Sequence, residues 1–240
     1  LFEMAPPLPK VTDPGGIKCF LFDLDGTLCD TDPLHHEVFG DLLLKHGKHG
    51  GVRIDDAFFK THIAGKTNEA IFPVLFPEST HEDREAMWLE KEARFRELAR
   101  NKLTRLPGLT KLLRFAKANA IIVVAVTNAP RANAELMLKA LGLEKAPDNF
   151  AHVVIGTECA RAKPFPDPYA EGMRLAGIDA RDAQRCVAFE DSPTGIASSC
   201  AAGIPTVGVM TSQTQFVLEK AGASVCIVDF EDAKLWAALD

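Results

Sequence analysis

Residues 120–126 read Ala-Ile-Ile-Val-Val-Ala-Val, with no polar side chain among them. Successive strand residues point to opposite faces, so a strand this apolar cannot leave one face in water. It fits a parallel sheet covered by helices on both sides. It is also far shorter than the roughly 20 apolar residues that a membrane-spanning helix needs. Similar, shorter runs stand at 17–22, 152–155, 186–189, 206–209 and 225–228. Helical patterns alternate with them at 109–118, 131–141, 167–176, 194–202, 214–221 and 232–239. From residue 106 onward the order is therefore strand, helix, strand, helix, which predicts an α/β protein.

One interval breaks that rhythm. About a hundred residues separate the first strand from the second, where a βαβ unit needs on the order of 30. The excess carries no strand pattern and reads as helices at 34–46, 55–63, 68–75 and 82–103. In the last of these, Glu90/Arg94 and Glu92/Arg96 have the spacing of i,i+4 ion pairs. The expected architecture is a doubly wound, Rossmann-like core of residues 1–32 and 106–240, with an inserted helical cap at 33–105. Pro33 and Pro107 would confine bending of the cap to the linkers at 31–33 and 104–108.

Composition narrows the function classes. The chain has 27 Lys and Arg against 33 Asp and Glu, a net charge of −6, which excludes a nucleic-acid binder held by bulk charge. The six cysteines, at 19, 29, 159, 186, 200 and 226, form no CxxC pair and read as reduced thiols, so a cytoplasmic setting is expected. The Pro-rich opening shows no basic region followed by an apolar stretch, hence no secretory signal, while an organelle reached after loss of a transit peptide stays open. A monomer without nucleic-acid or membrane partners is expected.

The chemistry concentrates where strands end. Asp23-Leu24-Asp25-Gly26-Thr27 follows the first strand directly, and ligands of open α/β sheets bind at the carboxyl ends of strands. Alone, two such carboxylates would be an acidic turn capping a helix. Three further groups follow later strands in order: Thr127-Asn128, Lys163-Pro164 and Glu190-Asp191-Ser192. Together they supply a nucleophile, an acid/base group, a hydroxyl donor, a cation and carboxylates for a metal. In type, order and spacing the four groups resemble the motifs of the haloacid dehalogenase superfamily. The insertion at 33–105 resembles that family's α-helical cap. The segments Asp-Gly-Thr-Leu-Cys-Asp-Thr-Asp-Pro (25–33), Ile-Ala-Gly-Lys (63–66), Val-Thr-Asn-Ala-Pro (126–130) and Val-Ala-Phe-Glu-Asp-Ser (187–192) are similar to the β-phosphoglucomutase-like branch, and within it to plant-type sugar phosphatases.

The resemblance implies an Mg²⁺-dependent phosphatase of a small phosphorylated metabolite, expected to be a sugar phosphate. Asp23 would be the nucleophile that forms an aspartyl-phosphate, and Asp25 the general acid and then base. Mg²⁺ would be held by Asp23, the Asp25 carbonyl and Asp191, with Glu190 supporting the metal shell. Thr127, Asn128 and Lys163 would bind the phosphoryl group. In the cap, Lys66 and His35 are candidates to meet the substrate. Ala64-Gly65-Lys66-Thr67 resembles the tail of an ATP-binding P-loop, but Lys60 stands where that loop needs glycine. A sugar phosphomutase is the main alternative. It needs a cation for a second phosphate, and Asn68, followed by Glu69, occupies the position where the mutases carry an arginine. A dehalogenase would need neither Asp25 nor Glu190-Asp191. A silent binding protein would leave several carboxylates crowded without a use.

Overall fold

The computed structural model describes residues 5–144 and 148–240. Six strands, β1 (Cys19–Phe22), β2 (Ile122–Thr127), β3 (His152–Ile155), β4 (Cys186–Glu190), β5 (Thr206–Val209) and β6 (Val225–Ile227), form one sheet in the order β3-β2-β1-β4-β5-β6. Every pairing is parallel. The fold is thus α/β and doubly wound, with the reversal of strand order beside β1, where such sheets open a crevice. No helix among the described residues is long and apolar enough to cross a membrane.

Alternation along the strands builds two cores. Phe20, Phe22 and Phe189 face one side, where Phe22 stacks on Phe189 with ring centroids 4.4 Å apart. That side is covered by α5 (Leu109–Ala118), α6 (Arg131–Ala140) and α10 (Ala233–Leu239). Cys19, Leu21, Cys186 and Ala188 face the other, against Tyr169 and Met173 of α7 (Asp167–Leu175). Near the sheet edge, Ile196 of α8 (Pro193–Ala201) packs on Leu218 of α9 (Gln215–Ala221).

Between β1 and α5 lie four helices: α1 (Asp32–Lys45), α2 (Asp56–His62), α3 (Asn68–Leu75) and α4 (His81–Ala99). They share an apolar cluster of their own, centred on Phe39, Phe59, Phe72 and Phe76. A capping box starts α4: Thr80 Oγ1 accepts from the Asp83 amide at 3.1 Å, and Asp83 accepts from the Thr80 amide at 3.2 Å.

Two readings of this region need correction. The helix expected at 82–103 stops at Ala99, because the chain must turn back there. The Lys102 amide bonds to the Ala99 carbonyl, and the Leu106 amide reaches the Leu28 carbonyl at 2.9 Å. No glycine or proline marks that stop before Pro107. Nor do the two i,i+4 pairs form. Glu90 binds Lys45 at 2.6 Å and Arg94 binds Glu97 at 2.7 Å. Glu92 and Arg96 turn inward to tertiary partners instead. Short 3₁₀ turns at His49–Gly51, Gly156–Glu158 and Ala180–Arg185 had no counterpart in the sequence reading.

Candidate active site

Asp23 is the first residue past β1, Thr127 ends β2 and Glu190 ends β4, so three adjacent parallel strands deliver them to one edge. Asp25 follows Asp23 through a tight turn in which the Gly26 amide bonds to the Cys29 carbonyl at 2.9 Å. Gly26 has φ of 73°, and a Cβ there would meet Asp191 Oδ2 at 2.1 Å. Glycine is needed twice over, for the left-handed backbone and for the close approach of the carboxylate. Gly195 serves Glu190 in the same way, since a Cβ there would lie 1.9 Å from that carboxylate.

Lys163 does not stand at the end of β3. It lies beyond the 3₁₀ turn that follows the strand, in the loop that leads into α7. The Asn128 side chain ties that loop down: its amide donates to the Lys163 carbonyl and its oxygen accepts from the Lys163 amide, both at 3.2 Å. The Lys163 ammonium, 5% exposed, then donates to Asp23 Oδ1 at 2.6 Å, Glu190 Oε1 at 2.6 Å and the Val126 carbonyl at 2.7 Å. All three of its protons have an acceptor. Burial works against its charge, but Asp23 and Glu190 outweigh that and hold the ammonium above the ordinary lysine range.

Asp23, Glu190 and Asp191 are buried, and each offers an oxygen within 4.8 Å of the others. Glu190 is the most committed. Its Oε1 also accepts from Tyr169 Oη at 2.7 Å, and its Oε2 from Ser192 Oγ at 3.3 Å. Asp191 accepts from Ser212 Oγ, and Ser192 caps α8 by accepting from the Gly195 amide at 3.0 Å. Burial pushes the Asp23 and Asp191 carboxyls well above their ordinary range, and repulsion from neighbouring carboxylates adds to it. Asp23, Asp25, Glu190 and Asp191 set four carboxylates against one ammonium. A hard dication bound by oxygen ligands fits that donor set and that deficit of positive charge. The Asp25 side chain is not part of that cluster.

The helical layer closes the site from above. His35 of α1 stacks on Phe95 of α4, with centroids 4.3 Å apart, and its Nε2 lies 3.3 Å from Asp25 Oδ1. His35 therefore meets the proposed acid/base group. Lys66 lines the cavity in the loop between α2 and α3, with its ammonium donating to the Thr61 carbonyl at 2.6 Å. Thr127, Asn128, Lys163 and Asp191 line the same cavity from below. Its volume is about 150 Å³. Cys29 is fully buried, and burial with Asp25, Asp23 and Asp30 nearby pushes its thiol up, so it is no reactive thiolate.

Several residues of the site escaped the sequence reading. Thr211, whose hydroxyl donates to the Gly26 carbonyl, and Ser212 follow β5, so the rule that strand ends carry function could have found them. Tyr169 looks like one more apolar position on the inward stripe of α7. Lys91 and Glu92 look like part of a solvated charged helix, yet both are buried and line the cavity.

Comparison with known proteins agrees with this picture. The family model for haloacid dehalogenase-like hydrolases matches residues 17–203. The chain is 30% identical to the protein CbbY of Rhodobacter capsulatus, over 80% of this chain and 84% of that protein. It is 32% identical to hexitol phosphatase A of Escherichia coli, over 80% and 82% of the two chains. Among solved structures, CbbY of Rhodobacter sphaeroides in complex with phosphate shares the fold, with a TM-score of 0.77 at 24% identity over 93% of this chain and 99% of that one. The chain that gathers these carboxylates and this lysine at the head of a parallel sheet belongs to the haloacid dehalogenase-like hydrolases, a family of enzymes.

Proposed function

We propose that this chain is a phosphatase that hydrolyses the phosphate monoester of a small phosphorylated sugar through a covalent aspartyl-phosphate. One observation carries the reading: Asp23 lies buried between the Lys163 ammonium and the Asp191 carboxylate, at the carboxyl end of the strand beside the sheet's reversal. The names of relatives such as hexitol phosphatase A support the substrate class.

Mg²⁺, held by Asp23, Asp191 and the Asp25 carbonyl with Glu190 behind them, would offset the repulsion between these carboxylates and the substrate's phosphate. Asp23 attacks phosphorus in line; its carboxylate oxygen bonds to phosphorus as the bond to the sugar oxygen breaks. Asp25 gives its proton to the departing alkoxide. As a carboxylate it then takes a proton from water, whose oxygen attacks the same phosphorus and releases Asp23. Lys163 neutralises charge on Asp23 and on the phosphoryl group, while the Thr127 hydroxyl and the Asn128 N–H bind phosphoryl oxygens. His35 orients Asp25.

In the same reading, residues 33–105 act as a cap over a core of 1–32 and 106–240, opening at the two linkers to admit substrate and closing to exclude water. Hydrolysis is favoured over phosphate return because Asn68, where a mutase would need a cation, spends its amide on Glu92 at 2.7 Å. The test is phosphate release from a panel of hexose, pentose and polyol monophosphates. Release with Mg²⁺ that stops in EDTA supports the proposal. Unchanged release in EDTA refutes the metal site. Glucose 6-phosphate forming from β-glucose 1-phosphate faster than free phosphate, with a trace of the bisphosphate present, would install the mutase.

A further inference from the structure

Glu92 is a carboxylate 4% exposed, in a helix whose other acidic residues face water, and it forms part of the cavity wall opposite the phosphate-binding edge. Three groups from three helices hold it. Lys91 Nζ donates to Oε1 at 2.8 Å, Asn68 Nδ2 donates to Oε1 at 2.7 Å, and Asn133 Nδ2 of α6 donates to Oε2 at 2.6 Å. Arg96 fixes the orientation of Asn133 by donating to its Oδ1 at 2.8 Å. The Lys91 ammonium is itself buried and sits over the Phe39 ring, 4.8 Å from the centroid.

The Lys91 and Glu92 charges in this wall are paired with each other. Among the described residues that line the cavity, the lysines are Lys66, Lys91 and Lys163. Lys163 is bound to Asp23 and Glu190 and Lys91 to Glu92, while Lys66, exposed in the loop between α2 and α3, gives a proton to the Thr61 carbonyl and keeps its charge. A second phosphate or a carboxylate seated against Glu92 would have to take Lys91 from it and would leave two anions facing each other in a buried place. Neutral hydroxyls face no such obstacle. Glu92 Oε2 has one protein donor and a lone pair to spare, and Lys91 has protons beyond the one it gives Glu92. Thr31 lines the same cavity, and its Oγ1 is buried with no hydrogen-bond partner among the described residues.

We propose that the buried Lys91–Glu92 pair, clamped by Asn68 and Asn133, sets the substrate class: a monophosphate ester whose far end is uncharged and rich in hydroxyls. Bisphosphates and phosphorylated acids are turned away. The proposal rests on the phosphatase reading for its phosphate end, but the discrimination is a matter of binding and can be measured without turnover.

The experiment uses the Asp23→Asn chain with Mg²⁺ and titrates glucose 6-phosphate and glucose 1,6-bisphosphate calorimetrically, alone and with Glu92→Gln or Glu92→Asp added. The monophosphate should bind more tightly by about tenfold or more, from like-charge repulsion of the bisphosphate. Glu92→Gln should erase most of that ratio, chiefly by strengthening the bisphosphate, and Glu92→Asp should restore it. Equal weakening of both ligands in both variants would mean that Glu92 only supports the fold, and would overturn the proposal. So would a starting chain that prefers the bisphosphate. Phosphate release by the wild-type chain is followed separately; its absence would sink the phosphatase reading and leave the binding ratio to be judged by itself.

Discussion

Asp23 and Asp25 are two residues apart and sit in different surroundings, and the proposed division of labour follows from that. The Asp23 carboxylate is buried under Lys163, whereas the Asp25 side chain is 29% exposed and lies 3.3 Å from His35 Nε2. Asp25→Asn should slow alkyl phosphates by about 10²–10⁴ and aryl phosphates far less, because a phenolate leaves without a proton. Parallel assays of glucose 6-phosphate and p-nitrophenyl phosphate decide it; equal losses count against Asp25 as the acid. Glu92 gives a stability prediction at the same scale. Burial alone would raise its carboxyl, but Lys91, His35 and Asn68 prevail and lower it from 4.5 to about 2. A lowered folded pKa contributes stability above the unfolded value, which is lost as pH falls through the folded one. The charge of Glu92 is therefore worth about 3 kcal/mol near neutral pH, fading between pH 4.5 and about 2. Urea unfolding of wild type and Glu92→Gln across that window should show the gap between them closing. A constant gap would mean that the charge of Glu92 contributes nothing. Neither the burial of Glu92 nor its partners could be read from the sequence, where Glu92 and Arg96 fit a helix-surface pair; the partners at 68 and 133 come from other helices.

Elements were legible where local chemistry decides them. The apolar runs gave all six strands within a residue or two, because a strand buried on both faces must be apolar throughout. Helices α3 and α5 have the bounds that their patterns predict. The end of α4 was not legible, since it is set by a long-range bond from Leu106 to Leu28 that leaves no local mark. The carboxylates of the site were readable for a different reason: motif position relative to strand ends is itself a geometric statement in a parallel sheet. Lys163 was found that way although a loop, and not the strand, carries it. The segment 104–108 holds a backbone position with little freedom. Gly108 has φ of 77°, and a Cβ there would meet the Phe230 carbonyl carbon at 2.4 Å. Gly108→Ala should cost about 2 kcal/mol or more, from left-handed strain plus the clash, and urea denaturation will show it. A loss under half a kcal/mol or so would mean that this linker rearranges easily.

For the molecule as a whole, the sheet brings an excess of buried negative charge to one edge, and the helical layer covers it with a small, mostly neutralised wall. In the proposed mechanism the first carries the chemistry and the second selects the substrate. The central claim is that Asp23 is the nucleophile of a phosphatase. Asp23→Asn keeps the shape of the side chain and removes its nucleophilic charge. The most direct measurement is steady-state phosphate release from sugar monophosphates, with Mg²⁺, by the wild-type chain and by Asp23→Asn at matched thermal stability. The account predicts turnover by the wild type and a loss in the variant of about 10³-fold or more, as expected when a covalent route is removed. Release by Asp23→Asn at a rate near that of the wild type would contradict it.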